Sequence, residues 1–140
     1  KKIMDLPEVG NMSSTHSANP LACSAGLAVL EEIQNKKLTD KARVNGQLMH
    51  TELLNIKKKH PNLFNIYGKG LIAAMVFNKS QKNIDKKLKK LVEKCIKDGL
   101  LLVYTGRESV KIGPPLTITK DAIMEGTKII EKNINLIFCK

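Results

Sequence analysis

Between residues 60 and 77 the chain changes its hydrophobic period, and that change limits what it can fold into. His60-Pro61-Asn62 ends a helical stretch, because the residue before a proline is pushed out of helical geometry. Residues 63–67 (Leu-Phe-Asn-Ile-Tyr) and 71–77 (Leu-Ile-Ala-Ala-Met-Val-Phe) then read as two strands joined by Gly68-Lys69-Gly70. The second strand is apolar on both faces, which predicts an interior strand covered on each side. A glycine-lysine step cradles phosphate where it leads into a helix. Here it leads into a strand, so a turn is expected.

Helical patterns surround this pair. Residues 37–59 place Leu38, Ala42, Met49, Leu53 and Ile56 on one face, with Lys and Glu opposite. Residues 84–97 turn Leu88, Leu91, Val92 and Cys95 inward, and Asp98-Gly99 supplies a glycine stop. Two further strands are expected at 100–104 and 109–112, around the turn Thr105-Gly106-Arg107-Glu108. Gly113-Pro114-Pro115 follows, and Thr119 reads as the N-cap of a last helix over 120–133. The order α-β-β-α-β-β-α describes a small α/β layer, a short sheet with helices packed over it.

The N-terminal part differs. Residues 1–18 lack sustained periodicity and read as a loop with a short helical turn at the start. Asn19-Pro20 then opens a helix over 20–34, since Asn caps well and Pro needs no donor at the first position. Ala22, Ala25, Gly26, Val29 and Ile33 form a small-residue stripe suited to burial against a larger body. Ser13, Ser14, Thr15 and Ser17 crowd the loop before it. Hydroxyls and unpaired amides there either cap a helix or hold an anion such as a phosphate.

The net charge of +11 raises a nucleic-acid reading, and the kind of charge argues against it. Only Arg43 and Arg107 are arginines among 24 basic residues, whereas base and phosphate readers favour the arginine fork. Aromatic residues make up 4%, too few for a stacking platform. The lysines read as solvated helix faces. No stretch approaches the roughly 20 apolar residues of a membrane span, and no N-terminal apolar segment suggests secretion. Cys23, Cys95 and Cys139 have no zinc-ligand spacing, so no metal site is expected; reduced thiols suit a cytoplasmic protein. Cys23 is expected to be packed, and His50 and His60 to be solvated or capping.

Two stretches carry a resemblance. Ser14-Thr15-His16-Ser17-Ala18-Asn19-Pro20-Leu21-Ala22-Cys23 resembles the Ser-Thr-x-x-x-Asn-Pro-Leu-Ala-Cys segment of class III aminotransferases, enzymes of fold type I that use pyridoxal 5′-phosphate. Val110-Lys111-Ile112-Gly113-Pro114-Pro115-Leu116 is similar to the basic-x-x-Pro-Pro-Leu segment near the C-terminus of that family. Leu38, Ala42, Gly46 and Tyr67-Gly68-Lys69-Gly70-Leu71 fall between them in the family's order.

The resemblance implies a C-terminal piece of such an enzyme. Residues 1–34 would be the edge of the large cofactor-binding domain and the connecting helix, and residues 35–140 the small C-terminal α/β (α+β) domain with a short, mostly antiparallel sheet. It implies that Thr15, with Ser14 a weaker candidate, bonds the pyridoxal phosphate across the interface of a homodimer. Lys111 stands where many members have an arginine that clamps the substrate carboxylate; lysine keeps the charge without the planar fork. Arg107 is the lesser alternative. The family's Schiff-base lysine would lie upstream of Lys1, so no catalytic residue is expected in this chain and the chain alone is expected to be inactive. The implied function is transfer of an amino group from an amine or ω-amino acid to a 2-oxo acid, with no nucleic acid or membrane partner. An aminomutase of the same fold, and a noncatalytic basic α/β binding module, are the rival readings.

Overall fold

The computed structural model describes residues 14–139 and divides the chain into two compact units, Lys1–Lys36 and Lys37–Lys140. In the first unit, α1 (Pro20–Asn35) begins at the Asn19 cap and ends at Lys36, whose N–H reaches back to the Glu32 carbonyl. Local signals alone make this helix. It buries no residue, and Leu21, Leu27, Val29 and Leu30 are all exposed. Cys23, expected to be packed, is exposed as well, since the small-residue stripe of α1 that was to bury it carries no buried residue.

The second unit holds α2 (Leu38–Lys59), β1 (Phe64–Lys69), β2 (Ile72–Phe77), α3 (Ile84–Lys97), β3 (Val103–Tyr104), β4 (Ser109–Ile112) and α4 (Lys120–Phe138). The four strands form one antiparallel sheet in the order β1-β2-β4-β3. The α/β order and the antiparallel sheet expected from the sequence are both present. Met49, Leu53, Leu88, Leu91, Ile130 and Ile134 from the helices meet Phe64, Met75, Phe77 and Val110 from the sheet in a single core. Period-2 alternation explains the sheet's share: Ala73, Met75 and Phe77 point to the helices while Ile72, Ala74 and Val76 do not. β2 is therefore interior, as its sequence predicted, but only one of its faces is covered within this unit.

The hairpin turn is displaced from its expected place. Gly68 stays in the ladder opposite Ala73, and the two residues of the turn are Gly70 and Leu71. Gly68 has φ +134°, a conformation that side chains rarely adopt, and a Cβ there would overlap the Ile72 carbonyl. At the tip, a Cβ added to Gly46 of α2 would stand 2.5 Å from the Gly70 carbonyl oxygen. The two glycines let helix and turn touch backbone to backbone.

Polar ties lock the helices to one another, to the stretch before α4 and to the sheet. α3 ends in a Schellman motif at Gly99 (φ +93°), with Leu100 N–H bonded to Cys95 O at 2.8 Å and Gly99 N–H to Ile96 O at 3.0 Å. Asn133 of α4, 1% exposed, donates to Asp98 Oδ2 at 2.8 Å. Lys132 reaches the same oxygen at 3.0 Å. The Asn133 and Lys132 bonds hold the Asp98 carboxyl below its ordinary range. Asn45 of α2 donates to Ile118 O at 2.8 Å, fixing the stretch after Pro114-Pro115. The Tyr104 hydroxyl donates to Asp85 Oδ1 at 2.5 Å, and that bond, followed by desolvation, pushes the phenol up to about 12.

Candidate functional site

Ser14 and Thr15 belong to the first unit, on an exposed loop that turns just before α1, with Ser17 N–H bonded to Ser14 O at 3.2 Å. Ser14, Thr15 and Ser17 are all exposed, and Ser13 lies outside the described residues. The helix start itself is already satisfied. Asn19 Oδ1 accepts from Leu21 N–H at 3.0 Å and Ala22 N–H at 3.4 Å, Asn19 O accepts from Cys23 N–H at 2.9 Å, and Pro20 has no N–H. The unpaired amides anticipated from the sequence are therefore taken by the cap. An anion here has to be held by hydroxyls. Three exposed hydroxyls next to a helix N-terminus remain a donor set that fits a phosphate.

Lys111 belongs to the second unit, on the interior strand β4. It pairs with Ala74 on one side and Val103 on the other, and Tyr67 lies opposite Ala74. Tyr67, Ala74, Lys111 and Val103 thus cross the sheet as one row, on the face turned away from the helices. Tyr67 is 60% exposed and Val103 54%. Among the described residues Lys111 takes part in no ion pair. An unpaired ammonium between apolar neighbours suits an anion with an apolar body. Sequence periodicity located Lys111 on a strand; its flanking residues come from antiparallel register, which a sequence does not print. Arg107 sits apart, exposed in the β3–β4 turn.

The other titratable groups make no second site. Burial pushes the Cys95 thiol up to about 11, with Asp98 adding to it, so this cysteine is a packed, inert thiol. His60 is the residue after α2, its N–H on Lys57 O at 2.9 Å, and the Nε2 atoms of His50 and His60 are shut off from water without a partner among the described residues. His60 is the C-cap of α2, one of the two roles expected for it, while His50 is half-buried within α2. No group of three His, Cys, Asp or Glu that could hold a metal occurs among the described residues, and no described helix is long and apolar enough to cross a membrane.

The family model for class III aminotransferases matches residues 1–134, and the chain belongs to that family. It is 34% identical over 135 residues to the acetylornithine aminotransferase of Synechocystis, covering 96% of this chain and 31% of that protein. The ornithine aminotransferase of Schizosaccharomyces pombe is 32% identical over 138 residues, at 96% and 30% coverage. Among solved structures, the acetylornithine aminotransferase of Elizabethkingia anophelis superimposes with a TM-score of 0.79 at 33% identity, over 94% of this chain and 32% of that one. The chain spans about a third of the length of the relatives it matches.

Proposed function

We infer that this chain is the C-terminal part of a pyridoxal-phosphate-dependent aminotransferase that moves an amino group from an amine or ω-amino acid to a 2-oxo acid. The observation that carries the reading is the family match over residues 1–134, which includes both the hydroxyl loop and the strand of Lys111. Residues 35–140 serve as the small domain, and residues 1–34 as the edge of the large one together with its connecting helix. The relatives are named for acetylornithine and ornithine, so a donor with an amino group at the end of its chain is the substrate class proposed here.

Bound pyridoxal phosphate supplies the electron sink for the exchange. This chain's own residues bind and orient. Thr15 Oγ1 donates to the cofactor phosphate, Ser14 lends a second hydroxyl, and the loop serves the site of a partner subunit in a homodimer. Since Asn19 occupies the first amides of α1, that grip depends on side-chain hydroxyls and is sensitive to their removal. Lys111 Nζ pairs with the substrate carboxylate, and Tyr67 and Val103 beside it cover the apolar part. The lysine that carries the cofactor covalently is assigned to the polypeptide before Lys1.

The test is Thr15→Ala in the longest natural polypeptide that contains this chain. Loss of a charge-assisted hydrogen bond weakens cofactor retention by about 1–3 kcal/mol, roughly five- to 150-fold, with the circular dichroism spectrum unchanged. Cofactor affinity equal to that of the parent protein would remove Thr15 from the phosphate site.

A further inference from the structure

The excess positive charge is concentrated in one place. Residues 79–97 hold eight lysines against two acids, Asp85 and Glu93, within a chain whose net charge is +11. On α3, Lys86, Lys87, Lys90 and Lys94 line a groove of about 520 Å³, together with Asn83; Leu136 and Ile137 of α4 form its other wall. No acidic side chain among the described residues lines it. Among the described residues none of the four lysines takes part in an ion pair, whereas Lys36, Lys59, Lys79 and Lys132 each have a carboxylate.

Spacing gives the groove a direction. Asn83, Lys87, Lys90 and Lys94 follow one another at four-, three- and four-residue steps, one stripe of the helix that spans about 16 Å at 1.5 Å per residue. Lys86 and Lys90, and Lys90 and Lys94, are like-charged neighbours four residues apart, an arrangement that costs a few tenths of a kcal/mol per pair while unoccupied. Asn83 precedes α3 at φ +57° and makes no side-chain cap bond, so its amide is not engaged in capping. One ammonium is held in place: Lys87 Nζ lies 5.2 Å from the centre of the Phe138 ring.

We propose that this groove between α3 and the end of α4 binds a linear polyphosphate chain. The chemistry of the lining selects that ligand. Every cation in it is a lysine, a point charge that binds phosphate without a two-point geometry, so the row of charges sets the ligand and a flexible chain carrying a charge at every unit suits it. Among the described residues the lining contains no aromatic side chain for bases to stack on, which separates a bare phosphate chain from a single-stranded nucleic acid. A ligand with several charges in a row relieves the repulsion along the stripe at each helical turn.

The experiment titrates inorganic tripolyphosphate into the 140-residue chain at low salt and reads the dissociation constant by calorimetry. Two triple variants remove the same charge: Lys87→Gln/Lys90→Gln/Lys94→Gln in the groove, and Lys41→Gln/Lys58→Gln/Lys120→Gln elsewhere on the second unit. The expected result is saturable binding that weakens about tenfold or more in the groove variant and about twofold in the control, with a salt slope that falls only in the former. Equal weakening in both variants would mean a diffuse field and overturn the proposal, as would binding too weak to saturate. Competition decides the ligand class: poly-glutamate binding as tightly as tripolyphosphate, or oligouridylate that tripolyphosphate cannot displace, also overturns it.

Discussion

On the face of the sheet turned to the helices, Ala73, Met75 and Val110 are fully buried; on the other, Tyr67 and Val103 keep more than half of their surface in water. Both faces belong to the same strands, and both are largely apolar. The difference lies in what covers them. α2, α3 and α4 supply a continuous core to the first face, and within this unit nothing is laid on the second. The lesson is that apolar alternation identifies a face without saying which polypeptide it meets. Lys111 sits in the middle of the uncovered face: one face holds the unit together, and the other is left open within this unit.

Four measurements can break or sharpen that contrast. Met75→Ala on the covered face leaves a cavity and should cost about 2–5 kcal/mol in urea unfolding, whereas Val103→Ala on the open face should stay within about 0.5 kcal/mol. Similar losses at both positions would mean that the open face is covered in solution. Gly46→Ala forces a methyl against the Gly70 backbone, which has no rotamer to yield, so a loss of about 1–3 kcal/mol is expected with a lower unfolding midpoint.

Asn133→Ala tests a tie on the covered side. Asp98 has a lowered pKa, so its contribution is complete above the ordinary carboxylate range near pH 4 and is lost as pH falls through the native value. The variant removes the largest cause of that shift, and its stability should fall less steeply below about pH 4 than that of the parent. Equal acid slopes would show that Asn133 does not hold the carboxylate. The smallest effect on stability is expected for Lys111→Gln, within about 0.5 kcal/mol, because the residue is exposed and takes part in no ion pair among the described residues. If Lys111 has the substrate-binding role proposed above, the same change in the longer polypeptide raises KM for a carboxylate substrate far more than it lowers kcat.

Much of the second unit was legible. Residues 84–97 and 109–112 have the bounds that the sequence predicts, since Asp98-Gly99 and the polar turn at 105–108 mark their ends chemically. Other bounds moved for physical reasons. The strand expected at 100–104 shrinks to Val103–Tyr104, because Leu100 N–H is spent on the Schellman bond and β4 offers only four residues to pair with. The last helix runs on to Phe138, past Asn133, a residue that looks like a stop and is in fact a buried clamp on Asp98. At the candidate site the hydroxyls of Ser14 and Thr15 could be read directly. Asn19 was legible as the cap too; what the sequence left open was whether amides stay free for an anion, and the cap takes those of Leu21 and Ala22.

The contact between Gly46 and Gly70 bears on how the chain can be altered. The tip of a two-residue hairpin is ordinarily a place where a protein accepts added residues. Here the tip is wedged against a helix, and anything longer would lever α2 away from β1. The β3–β4 turn is the opposite case, since a Cβ on Gly106 would meet nothing within 4 Å. A peptide tag, a fluorophore or a linker belongs in that turn, where it leaves the register of the sheet undisturbed.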